Sequence, residues 1–445
     1  MTRLFGTDGV RGRANLDLTP DLALTLGRAA GVVLGRSGRI VLGRDTRVSG
    51  PMLEAALTAG LCSAGLDVAL AGVVPTPAVS FLTLEEGATA GGMVSASHNP
   101  VEDNGIKFFS AEGSKIGTDL ETEIETAMEA RPEVIPMGTE VGQAEFIVDA
   151  ADRYVEHLVG SIRRPLNGLR VVMDCAYGAA WDVGPRAFRA AGADVIAINA
   201  VPDGSRINVG CGSTYLDPLT RSVLDEGAHL GVAFDGDADR VLAVDERGGV
   251  IDGDAILALA AVRMSEVGEL AHNVVVSTVM ANLGLQHALA DRGIEVVTVP
   301  VGDRFVSEGM LEAGAVLGGE QSGHIIFGAH ARTGDGILAG LQLASLVVGQ
   351  PASQCAHLFE PYPQVLINVP VTSKDPLESA APLWERVTIL QEELGRDGRV
   401  LVRASGTEAL VRVMVEARDE STARRAAESL ATLVRDQLGA APEGL

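Results

Sequence analysis

The chain of 445 residues has no apolar run long enough to span a bilayer. The longest, residues 336–349, is broken by Gly340 and Gln342 and falls short of the roughly 20 residues a membrane helix needs. Residues 1–12 mix charges with glycines and lack the apolar centre of a secretory signal. Cysteine is scarce: Cys62, Cys175, Cys211 and Cys355 are scattered without CxxC spacing, so neither a disulfide framework nor a zinc site is indicated. The cytoplasm is the expected compartment. Positive charge is also in deficit, with 35 Lys and Arg against 59 Asp and Glu and a formal net charge of −24. That field repels nucleic acid and anionic membranes, so neither is an expected partner. An anionic small ligand has to be drawn in by a local cluster of Arg, Lys, backbone N–H groups or metal.

What is present is ordinary for a globular protein: 47% hydrophobic and 21% charged residues. The length exceeds what one core usually supports, which predicts three or four domains. One unit recurs three times. Ile40-Val41-Leu42, Arg170-Val171-Val172-Met173 and Val274-Val275-Val276 each read as a buried strand followed by a loop and a helix. The copies close with Ala64-Gly65-Leu66-Asp67-Val68, Ala191-Gly192-Ala193-Asp194-Val195 and Arg292-Gly293-Ile294-Glu295-Val296. In each closing segment a glycine caps the helix and the next strand begins. Such units imply three similar α/β domains with mainly parallel sheets. The tail reads as strand 365–371, helix 382–394, strands 399–403 and 411–416, and a long helix 421–438, an α+β set. Linkers are expected near 149–154, near 252–254 and around Pro361, and the expected division is 1–152, 153–253, 254–362 and 363–445.

The sharpest chemical signal is Asp235-Gly236-Asp237-Ala238-Asp239-Arg240, which directly follows the apolar run 231–234. Alternate residues of a flat strand lie roughly 6–7 Å apart, too far to share one ion, but Gly236 allows the chain to curl until the carboxylates converge. Hard oxygen ligands select Mg²⁺, Mn²⁺ or Ca²⁺. Asp235, Asp237, Asp239 and Glu246 also match positions 1, 3, 5 and 12 of an EF-hand, yet Arg240 stands where that loop needs glycine. An aspartyl-phosphate nucleophile at the strand end remains open on these residues. A purely structural acidic turn is disfavoured, because adjacent carboxylates repel.

Three further motifs stand out. Ser95-Ala96-Ser97-His98-Asn99-Pro100, followed by Asn104-Gly105-Ile106-Lys107, places Ser97 at an exposed strand-to-loop edge. Alone it reads equally as a turn or cap serine, and no Gly-x-Ser-x-Gly elbow surrounds it. Gly318-Gly319-Glu320-Gln321-Ser322-Gly323-His324 offers donors and acceptors suited to sugar hydroxyls, or is a glycine-rich turn. Arg403-Ala404-Ser405-Gly406-Thr407-Glu408, with Arg412, reads as a phosphate nest or as a β-turn with a surface Arg.

In chain order and over the whole length, these motifs resemble the α-D-phosphohexomutase superfamily and, within it, the bacterial phosphoglucosamine branch. Gly6-Thr7-Asp8-Gly9-Val10-Arg11-Gly12 is similar to the N-terminal signature, and Ile207-Asn208 with Cys211-Gly212-Ser213-Thr214 to a segment of that branch. Ala404 and Ala409 stand where the family usually has Pro, and Tyr215 where the branch usually has His. The resemblance implies four domains around a central cleft. It implies Ser97 as a phosphoserine that, with Asp235, Asp237 and Asp239, ligates one Mg²⁺. Arg240 is expected to support those carboxylates, and His98, Lys107 and Arg11 to do acid/base or charge-stabilising work. Glu320, Ser322 and His324 are expected to hold the sugar, and Arg403, Ser405, Gly406, Thr407 and Arg412 its phosphate. The implied ligand is a small sugar phosphate, primed by glucosamine 1,6-bisphosphate or another phosphoryl donor, with a homodimer as a possible assembly.

Overall fold

The apolar runs that open the three repeats form strands Arg39–Arg44, Arg170–Asp174 and Val274–Thr278, each buried along most of its length. They belong to a computed structural model that describes residues 3–6, 8–35, 37–130, 135–405 and 409–439. A helix follows each strand: Gly50–Ser63, Ala180–Ala190 and Leu283–Ala290. Just beyond these helices Gly65, Gly192 and Gly293 take φ of 96°, 102° and 70°, the left-handed turn that glycine adopts without a Cβ clash. Strands Asp67–Val73, Asp194–Ile198 and Glu295–Val299 then pair parallel to the first strand of their own unit.

The repeat extends further than these two strands. In each unit a second helix (Thr76–Glu85, Asp217–Glu226, Asp303–Ala313) leads to a third strand (Ala90–Val94, Leu230–Phe234, Leu317–Gly319), parallel to the first on its other side. A fourth strand (Asp103–Ser110, Val241–Asp245, Ile325–Phe327) returns antiparallel to the third. The sheets are therefore parallel at the centre and mixed at this edge. The reason is loop length: segments 95–102, 235–240 and 320–324 can only reverse the chain, since a parallel return needs a crossover of about a dozen residues. Val10–Arg13 and Ala144–Phe146 complete a six-stranded first sheet, Val250–Ile251 a five-stranded second, and the third has four strands.

Each sheet has its own apolar core. Leu26, Ile40, Leu57 and Phe108 lie in the first, Val172, Leu219 and Val244 in the second, and Val276, Val306 and Ile326 in the third. The tail is an antiparallel sheet in which Leu410–Ala417 lies between Gln364–Pro370 and Gly398–Ala404. Helices Ala381–Leu394 and Glu420–Leu438 share its core through Leu383, Ala427 and Leu430.

By packing, the chain forms two units: Met1–Met280 with Gly293–Leu358, and Ala281–Arg292 with Phe359–Leu445. Helix Leu283–Ala290 thus groups with the tail. Asn282 explains this locally, since its amide donates to the Tyr362 carbonyl at 3.0 Å and accepts from the Tyr362 N–H at 2.9 Å. Two expected linkers are ordered instead. Residues 149–154 enter helix Ala150–Gly160, which buries Ala150, Tyr154 and Leu158 at helical spacing. Residues 252–254 start helix Gly253–Glu266, capped by Asp252, whose side chain accepts from the Ala255 N–H at 3.0 Å. Among the described residues, no helix is long and apolar enough to cross a membrane.

Tyr154 is fully buried, and its hydroxyl donates to Asp335 Oδ2 at 2.6 Å. Burial pushes the Asp335 carboxyl up to about 6, so the loss of a donor there is costly. Tyr154→Phe is expected to lower unfolding free energy by about 1–3 kcal/mol. A urea midpoint equal to that of the native chain would show that water replaces the hydroxyl.

Candidate active site

All three hairpin loops of the first unit carry motifs singled out by sequence. The loop 235–240 leaves strand Leu230–Phe234, whose five residues are buried. Asp235, Asp237 and Asp239 are buried too, and one carboxylate oxygen from each lies within 4.8 Å of the others. The curl that permits this comes from Ala238, at φ 57°, rather than from Gly236. Gly236 is needed for a different reason: a Cβ there would lie 2.6 Å from the Ser97 carbonyl oxygen.

The electrostatics of this cluster are severe. Burial and the neighbouring Asp239 and Asp237 push the Asp235 carboxyl well above the usual carboxylate range. Burial acts the same way on Asp239, but His324, Lys107 and Arg240 hold that group below the range. Lys107 Nζ lies 3.1 Å from Asp237 Oδ2 and 3.8 Å from Asp239 Oδ2. Although burial disfavours its charge, Asp237, Asp8 and Asp239 raise its pKa, so it is a fixed cation. Arg240 donates its N–H to Asp235 Oδ1 at 3.2 Å, and its Nε lies 3.8 Å from Asp239 Oδ1. Thr76 donates through N–H to the Asp237 carbonyl at 2.9 Å and through Oγ1 to Asp237 Oδ2 at 2.5 Å. Even so, Asp237 Oδ1 and Asp239 Oδ1 are buried and accept no hydrogen bond. Convergent, under-satisfied carboxylate oxygens fit a hard divalent cation.

Ser97 is buried against this cluster, where sequence placed it at an exposed edge. Its hydroxyl donates to Asp235 Oδ2 at 2.5 Å, and His98 Nδ1 lies 3.3 Å from the same oxygen. Burial, Arg240 and Arg11 push His98 down to about 4, so the ring is neutral at pH 7. Arg11 pairs with Asp8 and donates to Asn99 Oδ1 at 3.0 Å, so the N-terminal signature braces the serine loop. The sequence reading did not single out Arg47 or Thr76, and it gave Asn208 and Asp8 no role within the segments that contain them. For Arg47 a signal existed: Asp45-Thr46-Arg47 puts a charged pair directly after a buried strand, as the aspartate loop does.

The third loop is split in its roles. Glu320 accepts the Gly302 N–H at 3.1 Å, and Ser322 is exposed. His324, expected among the sugar ligands, is buried with both ring nitrogens engaged. Its Nε2 accepts the Gly334 N–H at 3.1 Å, and its Nδ1 faces Asp239 Oδ2 at 3.5 Å. These contacts brace the acidic loop. In the second unit Arg403 and Arg412 stand opposite each other on neighbouring antiparallel strands. Burial and the Arg412 charge lower the Arg403 pKa. Ser405 is buried and its carbonyl accepts from Lys374 at 2.7 Å. Gly406 and Thr407 lie outside the described residues, as does Thr7.

Geometry separates the rival readings of the acidic loop. Glu246, the twelfth position of an EF-hand, accepts from the Ser353 N–H at 3.0 Å, and strand Val241–Asp245 intervenes. Both Asp235 oxygens accept hydrogen bonds, from Ser97 and from Arg240, an arrangement that sets a serine hydroxyl beside the carboxylate.

Four family models match in chain order, all described as phosphoglucomutase/phosphomannomutase: alpha/beta/alpha domain I over residues 2–134, domain II over 152–249, domain III over 252–362, and the C-terminal domain over 366–433. The chain is 52% identical over 442 residues to phosphoglucosamine mutase of Rhodococcus opacus (strain B4), covering 98% of this chain and 99% of that one. It is 53% identical over 441 residues to phosphoglucosamine mutase of Saccharopolyspora erythraea, with the same coverage. Among solved structures it is similar to a phosphoglucomutase/phosphomannomutase family protein from Burkholderia thailandensis, with a TM-score of 0.83, 26% identity and 99% of both chains covered.

Asp237→Ala removes one carboxylate, the nearer of the two beside Lys107 and the acceptor of the Thr76 hydroxyl. It is expected to abolish Mn²⁺ binding, read by electron paramagnetic resonance, while circular dichroism stays that of the folded chain. Undiminished Mn²⁺ affinity would place the cation elsewhere.

Proposed function

The chain belongs to the phosphoglucomutase/phosphomannomutase family, and on that premise we propose that it interconverts glucosamine 6-phosphate and glucosamine 1-phosphate through a phosphoserine and a 1,6-bisphosphate. The observation that carries this reading is the Ser97 hydroxyl held 2.5 Å from Asp235, beside a fixed cation and a neutral imidazole. The names and full-length identity of the curated relatives support the choice of sugar.

In this reading Ser97 Oγ carries the phosphoryl group. The O1 hydroxyl of glucosamine 6-phosphate attacks phosphorus, the bond to Ser97 Oγ breaks, and the proton of O1 passes by way of His98 to Ser97 Oγ. The resulting 1,6-bisphosphate turns over in the site. Ser97 Oγ then attacks the 6-phosphoryl group, and O6 takes a proton as glucosamine 1-phosphate forms. His98 Nδ1, next to Ser97 Oγ, is the proposed site of proton exchange. Lys107 and Arg11 are assigned charge stabilisation, since a lysine held cationic by three carboxylates is a poor base. Asp235, Asp237 and Asp239, with an oxygen on Ser97, would hold one Mg²⁺, which when bound offsets negative charge on the transferring phosphoryl group. Glu320 and Ser322 are assigned the ring hydroxyls. Arg403, Ser405, Gly406, Thr407 and Arg412 are assigned the phosphate that is not reacting.

The proposed domain borders are 152/153, 253/254 and 362/363, supported by where the family matches begin and end. The proposed compartment is the cytoplasm, consistent with four free cysteines. Priming by glucosamine 1,6-bisphosphate or another phosphoryl donor, and assembly as a homodimer, belong to the same proposal.

Ser97→Ala is expected to lose nearly all mutase turnover, and active native protein to yield a phosphorylated peptide containing Ser97. Phosphate found on Asp235, or inorganic phosphate as the main product, would move the chain to phosphatase chemistry. For substrate choice, the cationic amine in an acidic site is favoured over a neutral hydroxyl by ~1–2 kcal/mol, which corresponds to a 5- to 30-fold higher kcat/KM, roughly, for glucosamine phosphate than for glucose phosphate. Fully primed enzyme with equal or better efficiency on mannose or glucose phosphate would instead favour the phosphomannomutase/phosphoglucomutase activity.

A further inference from the structure

Ser97 has a φ of 50°, a left-handed backbone that a serine does not adopt without help. That backbone turns Oγ toward Asp235, so whatever holds it also sets the geometry of phosphoryl transfer. Arg47 lies beneath the loop with no solvent exposure. Its Nη2 donates to the carbonyls of Ser97 at 2.9 Å and Asn99 at 2.8 Å, and its Nη1 to those of Asp103 at 2.9 Å and Pro100. The fifth N–H, on Nε, donates to Asp45 Oδ2 at 3.0 Å. A guanidinium has five N–H donors, and here every one is used.

Asp45 closes the network from the other side. It accepts from Ser95 Oγ at 2.6 Å, and Ser95 Oγ in turn accepts the Ser97 N–H at 2.9 Å. Both backbone groups of Ser97 are thus tied to one buried ion pair. The Ser97 carbonyl also accepts from Asn208 Nδ2 at 2.9 Å. Asn208 belongs to the second repeat, and its own φ is 62°.

We infer that Arg47 is a positioning residue for the phosphoryl-carrying serine, holding Ser97 in its left-handed conformation through the loop carbonyls, with Asn208 as the second strap. The inference rests on the reading of Ser97 as the phosphoryl carrier. It assigns Arg47 no contact with substrate. Lysine cannot replace it, because three donors on a rotating ammonium do not reproduce a planar fork that reaches four carbonyls and a carboxylate.

The test compares Arg47→Lys and Asn208→Ala with the native chain. Each is loaded with glucosamine 1,6-bisphosphate to a Ser97 phosphate content measured by intact mass, then assayed with glucosamine 6-phosphate. Per loaded chain, kcat is expected to fall by about 10²-fold in Arg47→Lys and by a smaller factor in Asn208→Ala, while KM moves less than about threefold. Hydrogen exchange at the amides of residues 98, 99 and 101–103 is expected to accelerate in both, and the melting temperature of Asn208→Ala to stay near that of the native chain. A purely structural role predicts instead that kcat per folded, loaded chain is native, and that result overturns the inference. So does a rise in KM at unchanged kcat. Should Arg47→Lys fail to fold, Asn208→Ala decides by the same readings. A native chain that takes up no phosphate on Ser97 overturns the reading of Ser97, and the inference with it. Native turnover with an indifferent Asn208→Ala and Arg47→Lys overturns the inference alone.

Discussion

Three carboxylates buried within one short loop, with a serine hydroxyl pressed against them, set the terms for the rest of the first unit. Such a cluster cannot stay ionised in a low-dielectric setting unless opposite charge and donors are brought to it. The surrounding fold supplies them from all three repeats. Lys107 and Thr76 come from the first, Arg240 from the second, and His324 from the third. What these groups leave under-satisfied is the pair of oxygens on Asp237 and Asp239. A divalent cation would complete the balance, and the same charge would neutralise an incoming phosphoryl group.

The economy of the architecture lies in a repeated position. Each repeat sends its third parallel strand into a short loop that must reverse, and each such loop bears a functional motif: 95–102, 235–240 and 320–324. The ends of parallel strands are where backbone groups and side chains leave the sheet without a neighbour to block them, the usual location of ligand sites in α/β folds. The loops differ in what they present. Ser97 presents a hydroxyl, Asp235 to Asp239 present charge, and Glu320 with Ser322 present hydrogen-bonding groups. The same backbone device therefore serves three chemical tasks. Close approach between loops then depends on missing side chains, as at Gly236, where a Cβ would strike the Ser97 carbonyl.

Much of this was legible in one sequence. The apolar strands, the glycine after each first helix and the antiparallel tail follow from local periodicity, and they lie where expected. Asp235, Asp237 and Asp239 announced themselves by spacing, and Ser97 by its motif. The fourth strand of the third repeat, Ile325–Phe327, escaped the reading because three residues are too short to show a period of two. The helix at 150–160 was hidden by charged residues that read as a linker, while Tyr154 and Leu158 were enough to bury one face.

The sequence by itself determined the fold class and the clustering of carboxylate donors, because each depends on residue type and near-neighbour spacing. Only the tertiary structure decided how those residues are used. The two nitrogens of His324 meet a backbone N–H and Asp239, which ties the third loop to the acidic one. Ala238, not Gly236, makes the turn, and the space beside residue 236 is filled by the Ser97 carbonyl from the first repeat. Arg47 became visible only when four carbonyls from a distant loop were seen to converge on it. Backbone carbonyls are common to every residue, so no pattern of side chains can report where they will point.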